Sequence, residues 1–393
     1  MRADVYSKKK RGVMAVLATT EFPPPGYGGI ERYMVRLAGE IAAAGHPLTV
    51  VAPRMPDCES FDAQQPYRVI RFPFPGHDRP EPLPLWTYHV RKAVIEAHRD
   101  MPDKCTIASS WLRSGLACAT LPRSVRGKLA IIAHGSEILS QRSFLRRWMM
   151  RAVFARADVA VANSAFTAGL LREAQLSREP VLGRCGIDPK QFNRKPAPVP
   201  TILSVGRLVR RKGFDKTIEA VPLLLNDFPN LRYEIVGVGP DSEYFKRLAI
   251  SLGVADHVVF LGDVSDEELE RAYERAWCFS LATRRVGAGD VEGFGIVYLE
   301  AAMAGVAAIG GFGSGAEDAI ENGKSGLLVD GTSAESIAQG LRVLLRDPQR
   351  ADAMGAYGRE RACRDFAWRI AARNIMSALG RESAQSRTVA AAT

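Results

Sequence analysis

Residues 289–305, GDVEGFGIVYLEAAMAG, set two carboxylates, Glu292 and Glu300, among glycines and aliphatics with no cation between them. An apolar segment must either neutralise such groups or give them something to bind. The EGFG half resists helix and the IVYLEAAMAG half favours it, so Glu292 reads as a loop residue. Glu300 then lies about one and a half turns into a helix. The helix start near Gly295 and Ile296 offers unpaired N–H groups to a phosphate, and the glycines let it approach. A carboxylate in that loop suits sugar hydroxyls, and one inside the helix suits a ribose diol.

A second group of chemistry-bearing residues stands in SVGRLVRRKGFDKTIEA, residues 204–220. Arg207 follows an apolar run and Lys212 precedes a helix, with Arg210 and Arg211 between them. Four cations on one loop repel each other unless an anion offsets them, and a diphosphate has the required charge. IVGVGPD, residues 235–241, is a glycine turn without the full dinucleotide fingerprint and reads as a tight turn. In the first half, IIAHGSEIL puts His134 on a glycine turn with Glu137 behind it. The GYGG turn, with Tyr27, Gly28 and Gly29, opens a helix and can bring backbone N–H groups to an anion. No Asp-x-Asp pair is present to hold a divalent ion. Asp290 and Glu292 are the nearest imitation, and no metal is expected, since cationic side chains and a helix end serve a leaving diphosphate equally well.

These residues need elements to position them. At 393 residues the chain exceeds one typical core. NRKPAPVP, residues 193–200, is proline-rich and divides it. On each side the pattern is a short apolar run, a glycine turn and an amphipathic helix. The first half has GVMAVLATT, a helix with Ile30, Tyr33, Met34, Leu37 and Ile41 on one face, PLTVVAP, KLAIIAHG and DVAVANS. The second half has TILSVGR, RYEIVGVG, HVVFLG and CFSLA, separated by helices over about 215–225, 242–252 and 266–276. This alternation predicts an α/β protein of two doubly wound parallel-sheet domains facing each other across a cleft. Ligands of such sheets bind at the carboxyl ends of the strands. The expected domains are residues 1–195 and 196–370.

Composition bounds the rest. Hydrophobic residues make up 47% and charged residues 24%, which excludes a disordered chain. The six cysteines fall into no metal-ligand spacing and read as reduced thiols of a cytoplasmic protein. The basic start and short apolar run imitate a secretory signal, but the proline-rich exit lacks a small-x-small site, so a buried first strand is expected. Residues 295–313 are apolar apart from Glu300; their glycines predict helix, turn and strand instead of a membrane span. Up to Pro196 there are 30 lysines and arginines against 17 acids, and beyond it 23 against 26. The first half is therefore expected to meet an anionic surface or ligand. No basic-aromatic motif of a nucleic-acid module is present, so no nucleic acid is expected. Residues 142–156, RSFLRRWMMRAVFAR, read as a helix with Phe144, Leu145, Trp148, Met149, Ala152 and Val153 on a core-type face. Arg146, Arg147 and Arg151 share the other face with Met150 and Phe154, a pattern that suits an anionic membrane surface.

GYGGIERYMVRLAGEIAAAGHPLTVVAP, AHGSE, VANSAFTAGLL, VGRLVRRKGFDKTIEA, VGVGP and EGFGIVYLEAAMAG, in this order, resemble the retaining glycosyltransferases of family 4 with the GT-B fold. The resemblance spans nearly the whole chain. It implies a nucleotide-sugar donor held mainly by the second domain, with Arg207 and Lys212 on the diphosphate. Glu300 would bind the ribose and Glu292 the transferred sugar, aided by backbone N–H groups of Gly293, Phe294 and Gly295. His134 would approach the donor sugar from the first, acceptor-side domain, and the anomeric configuration would be kept. A C-terminal helix, about residues 371–393, would cross back to the first domain. Where the family often has Pro-Glu, this chain has Glu317 and Asp318, which are left out of the site. The detail resembles bacterial GDP-mannose-dependent mannosyltransferases acting on lipid-linked acceptors, including polyprenyl-diphosphate oligosaccharides of exopolysaccharide biosynthesis. Such an enzyme would sit peripherally at the inner face of the cell membrane. A UDP-sugar transferase with another acceptor and a nucleotide-sugar epimerase on the same fold are the competing expectations.

Overall fold

A computed structural model describes residues 13–390 apart from 25–27, 75–81, 100, 102, 142, 178, 288 and 290. The basic start, Tyr27 and Asp290 therefore lie outside the described residues. Thirteen strands form two wholly parallel sheets among the described residues. The first has β1 (Met14–Ala18), β2 (Leu48–Pro53), β3 (Arg68–Phe72), β4 (Lys104–Ala108), β5 (Lys128–Ala133), β6 (Val159–Ala162) and β7 (Val181–Leu182) in the order 3-2-1-4-5-6-7. The second has β8 (Thr201–Val205), β9 (Arg232–Val236), β10 (Val258–Gly262), β11 (Cys278–Leu281), β12 (Ala308–Gly311) and β13 (Gly326–Val329) in the order 10-9-8-11-12-13.

The strands are short unbroken apolar runs, buried along their length in β2, β8, β11 and β12, as a sheet covered on both faces demands. In each sheet the chain reverses direction beside its first strand: β1 lies between β2 and β4, and β8 between β9 and β11. Those two reversals open a crevice at the carboxyl ends of the strands, where the connecting loops diverge to opposite faces.

Helix lengths follow local chemistry. The helix expected over about 215–225 ends as Phe214–Ala220, because Pro222 removes a donor and the segment continues as turns. Ser265 and Glu268 form a reciprocal capping box at the start of the Asp266–Arg275 helix. The last helix, Trp368–Ala390, packs on the Gly29–Ala43 helix of the first domain. Trp368 sits edge-on to Tyr33 at 5.7 Å, and Lys128 donates to the carbonyl of Leu379 at 2.9 Å. One continuous apolar cluster runs from one face of the first sheet, through Phe366, Trp368, Ile375 and Met376, into the second domain. A second cluster, around Trp86, Trp111 and Phe154, covers the other face of the first sheet.

The Phe144–Phe154 helix corrects the expected facing. Met150, Val153 and Phe154 are buried, whereas Phe144, Leu145 and Trp148 are 78%, 68% and 61% exposed. Only the second half of this helix packs, against the Trp111–Gly115 turn, and its first half carries Arg146 and Arg147 with the three large apolar groups into solvent. Periodicity gives a stripe but not the point along the axis where the domain body ends. No helix among the described residues is long and apolar enough to cross a membrane.

Candidate active site

The loop after β8 carries the four cations, and the fold sorts them. Arg210 stacks over the ring of Tyr244, 3.5 Å from its centroid. Its backbone N–H donates to Asp241 at 2.9 Å. Lys212 is buried and meets Glu292 Oε2 at 2.5 Å. Arg207 is exposed and makes no ion pair among the described residues. Two cations of this loop therefore stand in different states, Lys212 neutralised by a carboxylate and Arg207 exposed.

Glu292 belongs to the loop after β11, whose base is pinned where Arg284 makes a two-pronged ion pair with Asp215 at 2.9 and 2.6 Å. Burial pushes the Glu292 carboxyl up, but the charges of Lys212 and Arg211 and the Lys212 contact outweigh it and hold it below the usual range. Its Oε2 is buried against the Lys212 ammonium, while the side chain as a whole keeps 14% of its surface exposed. The sequence shows no local cation for either glutamate; the fold supplies one to each from a distance.

Gly295 ends this loop with φ +89°, a conformation that favours glycine, and a Cβ there would lie 2.6 Å from the Tyr298 ring. The Ile296–Met303 helix starts immediately after it, so its first N–H groups and those of Gly293 and Phe294 line one short backbone arc. The Phe294 side chain is buried against Phe366, which leaves only its backbone for the crevice. Glu300 lies on the same helix. Tyr273 donates to Glu300 Oε2 at 2.9 Å, and Arg32 of the first domain donates to Oε1. Burial and the adjacent Glu300 charge raise the Tyr273 phenol well above its usual value, so it remains a donor.

His134 follows β5 in the first sheet. Its Nε2 donates to the carbonyl of Ser109 at 2.7 Å. Its backbone N–H donates to Glu137 Oε1 at 2.6 Å. The carbonyl of His134 abuts Gly293: a Cβ on that glycine would fall 1.8 Å from it. The two loops, about 160 residues apart in the chain, thus meet backbone to backbone. Gly28 and Gly29 open the Gly29–Ala43 helix on the same side of the first domain, with Glu31 in its first turn.

Three residues escaped sequence reasoning. Arg32 and Tyr273 hold Glu300, and nothing in their local pattern separates them from solvated helix residues. Glu21, after β1, has its carboxyl raised by burial, then by Glu31, with His134 nearby. Glu317 and Asp318, left out of the site, have structural work: Asp318 accepts from the N–H groups of Ala165 and Phe166 at 2.9 and 3.0 Å and so ties the domains together. Among the described residues no cluster of histidine, cysteine or carboxylate side chains is arranged for a metal ion.

The chain matches two family profiles in succession, "Glycosyltransferase Family 4" over residues 27–191 and "Glycosyl transferases group 1" over residues 188–361. A GDP-mannose-dependent alpha-(1-6)-phosphatidylinositol monomannoside mannosyltransferase of Mycolicibacterium smegmatis is 34% identical over 94% of this chain and 99% of its own. A GDP-mannose-dependent monoacylated alpha-(1-6)-phosphatidylinositol monomannoside mannosyltransferase of Corynebacterium glutamicum is 29% identical over 93% and 98%. Among solved structures, Anabaena Alr3699/HepE in complex with UDP superposes with a TM-score of 0.76 at 18% identity, covering 94% of this chain and all of that one. That likeness concerns the fold.

Proposed function

The chain belongs to the family 4 and group 1 glycosyltransferases on the GT-B fold, and from that premise we propose that it transfers an α-mannosyl group from GDP-mannose to a lipid-linked saccharide with retention of configuration. The observation that carries this reading is the meeting of His134 and Gly293 beside a buried, cation-paired Glu292. The donor's diphosphate lies against Arg207, Lys212 and the backbone N–H groups of Gly293, Phe294, Gly295 and Ile296, with those of Gly28 and Gly29 across the crevice. Glu300 accepts from the ribose, Glu292 from the mannose, and His134 presents a polar ring edge to the same sugar. In the transfer the anomeric C–O bond to the diphosphate breaks, an acceptor hydroxyl oxygen bonds the same carbon on the same face, and the proton of that hydroxyl passes to the departing diphosphate oxygen. The diphosphate leaves into fixed positive charge, with no divalent ion required.

The names of the relatives support GDP-mannose and a phosphatidylinositol mannoside as acceptor type. The polyprenyl-diphosphate oligosaccharide of exopolysaccharide biosynthesis is the other acceptor of the same chemistry, a sugar joined through phosphate to hydrocarbon. Both sit in a membrane, and the exposed Phe144, Leu145 and Trp148 beside Arg146, Arg147 and Arg151 suit peripheral contact with an anionic inner leaflet.

The deciding experiment is a thermal-shift panel of GDP-mannose, GDP, UDP-glucose and UDP, followed by mass-spectrometric transfer assays with each acceptor in the presence of EDTA. Stabilisation by the guanine pair and an acceptor shifted by one hexose are expected. Selective stabilisation by the uracil pair would overturn the donor, and release of free epimer without acceptor would overturn the transfer reaction.

A further inference from the structure

Glu300 presents its two oxygens to different surroundings. Oε2 is held from inside the second domain by the buried Tyr273 hydroxyl at 2.9 Å. Oε1 is covered from the other domain by Arg32, which is 42% exposed on its side chain. The carboxylate that suits a ribose diol is thus already occupied on its open side, and by a residue from across the crevice. One turn further along the same helix, Arg36 reaches Asp188 at 2.7 Å. The basic face of the Gly29–Ala43 helix therefore touches both the second domain and the segment leading to it.

Arg32 also stands beside a place for an anion. Its backbone N–H donates to the carbonyl of Gly28 at 3.0 Å, so its side chain issues from the turn that opens the helix. Glu31 occupies the same turn, and its carboxylate lies against Gly28. A phosphate approaching Gly28 and Gly29 would meet that negative charge on the first-domain side, together with the helix N–H groups. Arg32 is the cation whose position allows it to correct the balance.

The geometry assigns Arg32 two alternative partners: it covers Glu300, and it passes to the donor's diphosphate once the ribose takes the carboxylate. This rests on the nucleotide-sugar reading above and adds a first-domain positioning residue to it. A nucleoside without phosphate must displace Arg32 and offers it nothing in return. A nucleotide sugar displaces it and supplies the replacement, so the first domain is drawn onto the ligand only when a diphosphate is present. A ligand shifts an arrangement only through contacts that differ between its two states, and here the diphosphate supplies that difference.

The test compares Arg32→Gln and Arg32→Lys with the wild type in two measurements, nucleoside binding by titration calorimetry and steady-state donor kinetics. Guanosine should bind Arg32→Gln about threefold more tightly, the scale of a half-exposed ion pair removed as competitor. The kcat/KM for GDP-mannose should fall about tenfold or more, the scale of a lost charge-assisted phosphate contact. Arg32→Lys should lie between the two, which a folding defect would not produce. Nucleoside affinity that is unchanged or weaker in Arg32→Gln, or donor kinetics that do not move, would overturn the assignment. Uridine and UDP-glucose run in parallel: wild-type turnover of the uracil donor alone defeats the guanine reading, and the uridine arm then decides Arg32 by the same two criteria.

Discussion

At the scale of single residues, the Lys212 and Glu292 pair joins stability to function. Both side chains are mostly buried, so Lys212→Ala leaves a buried carboxylate with only the charge of Arg211 to offset it and is expected to cost about 3 kcal/mol. Replacing the carboxylate as well, in Lys212→Ala/Glu292→Gln, should recover about half of that loss while activity stays absent. Urea unfolding reads both variants, and a single variant as stable as wild type would mean the pair is not buried in solution. Arg207→Ala should leave the unfolding midpoint unchanged and lower kcat/KM by about 10²-fold, because this exposed cation has no ion-pair partner among the described residues. His98 gives the pH dependence. Burial, then Lys104, pushes its imidazole down to about 4, and its Nδ1 has no hydrogen-bond partner among the described residues. The unfolded chain binds this proton first, so stability from His98 is full above about pH 6.5 and is lost as pH falls towards 4, up to about 3 kcal/mol. His98→Asn should flatten the midpoint-versus-pH curve in that window; an unchanged slope would assign the acid sensitivity elsewhere.

At the scale of elements, the Phe144–Phe154 helix divides into a packed half and a projecting half, and the projecting half makes a prediction. Phe144→Ser/Trp148→Ser should bind anionic vesicles at least about tenfold more weakly than wild type with no fall in melting temperature, since neither side chain contributes to the core. Arg146→Glu/Arg147→Glu/Arg151→Glu should lose the salt-sensitive part of binding, roughly 1 kcal/mol for each arginine near the leaflet. Co-sedimentation across a salt series measures both, and wild-type binding by both variants would exclude this helix as the contact. The helix also marks the limit of reading elements from sequence. Its existence was legible, because apolar residues recur at helical spacing and Gly and Pro are absent. Which side is core was not, because Phe144, Leu145 and Trp148 satisfy the same period as Met150, Val153 and Phe154. The strands were legible for the opposite reason: a short apolar run bounded by glycine admits little besides a buried parallel strand.

At the scale of the molecule, each sheet brings one half of the site to its own reversal point, and the halves function only where they touch. Arg207, Lys212, Glu292 and Glu300 were legible because their types clash with their neighbours: cations crowded on one loop and carboxylates in an apolar run. Arg32 and Tyr273 were not, because a partner some 30 to 270 residues away leaves no mark on local pattern. The contact between His134 and Gly293 is likewise a property of the assembled fold, and it offers a way to separate domain approach from domain folding. A methyl group at residue 293 would fall 1.8 Å from the carbonyl of His134, inside any possible contact distance, while the cores on either side are untouched. Gly293→Ala must therefore move the two loops apart. Because misplacement by about 1 Å at a reacting centre costs about 10²-fold, kcat/KM should fall at least that far. Far-UV circular dichroism and the unfolding midpoint should stay close to wild type, and small-angle scattering should show an equal or larger radius of gyration with donor present. Wild-type turnover by Gly293→Ala would mean that the His134 loop does not approach the second domain during transfer, and would remove His134 from the donor sugar.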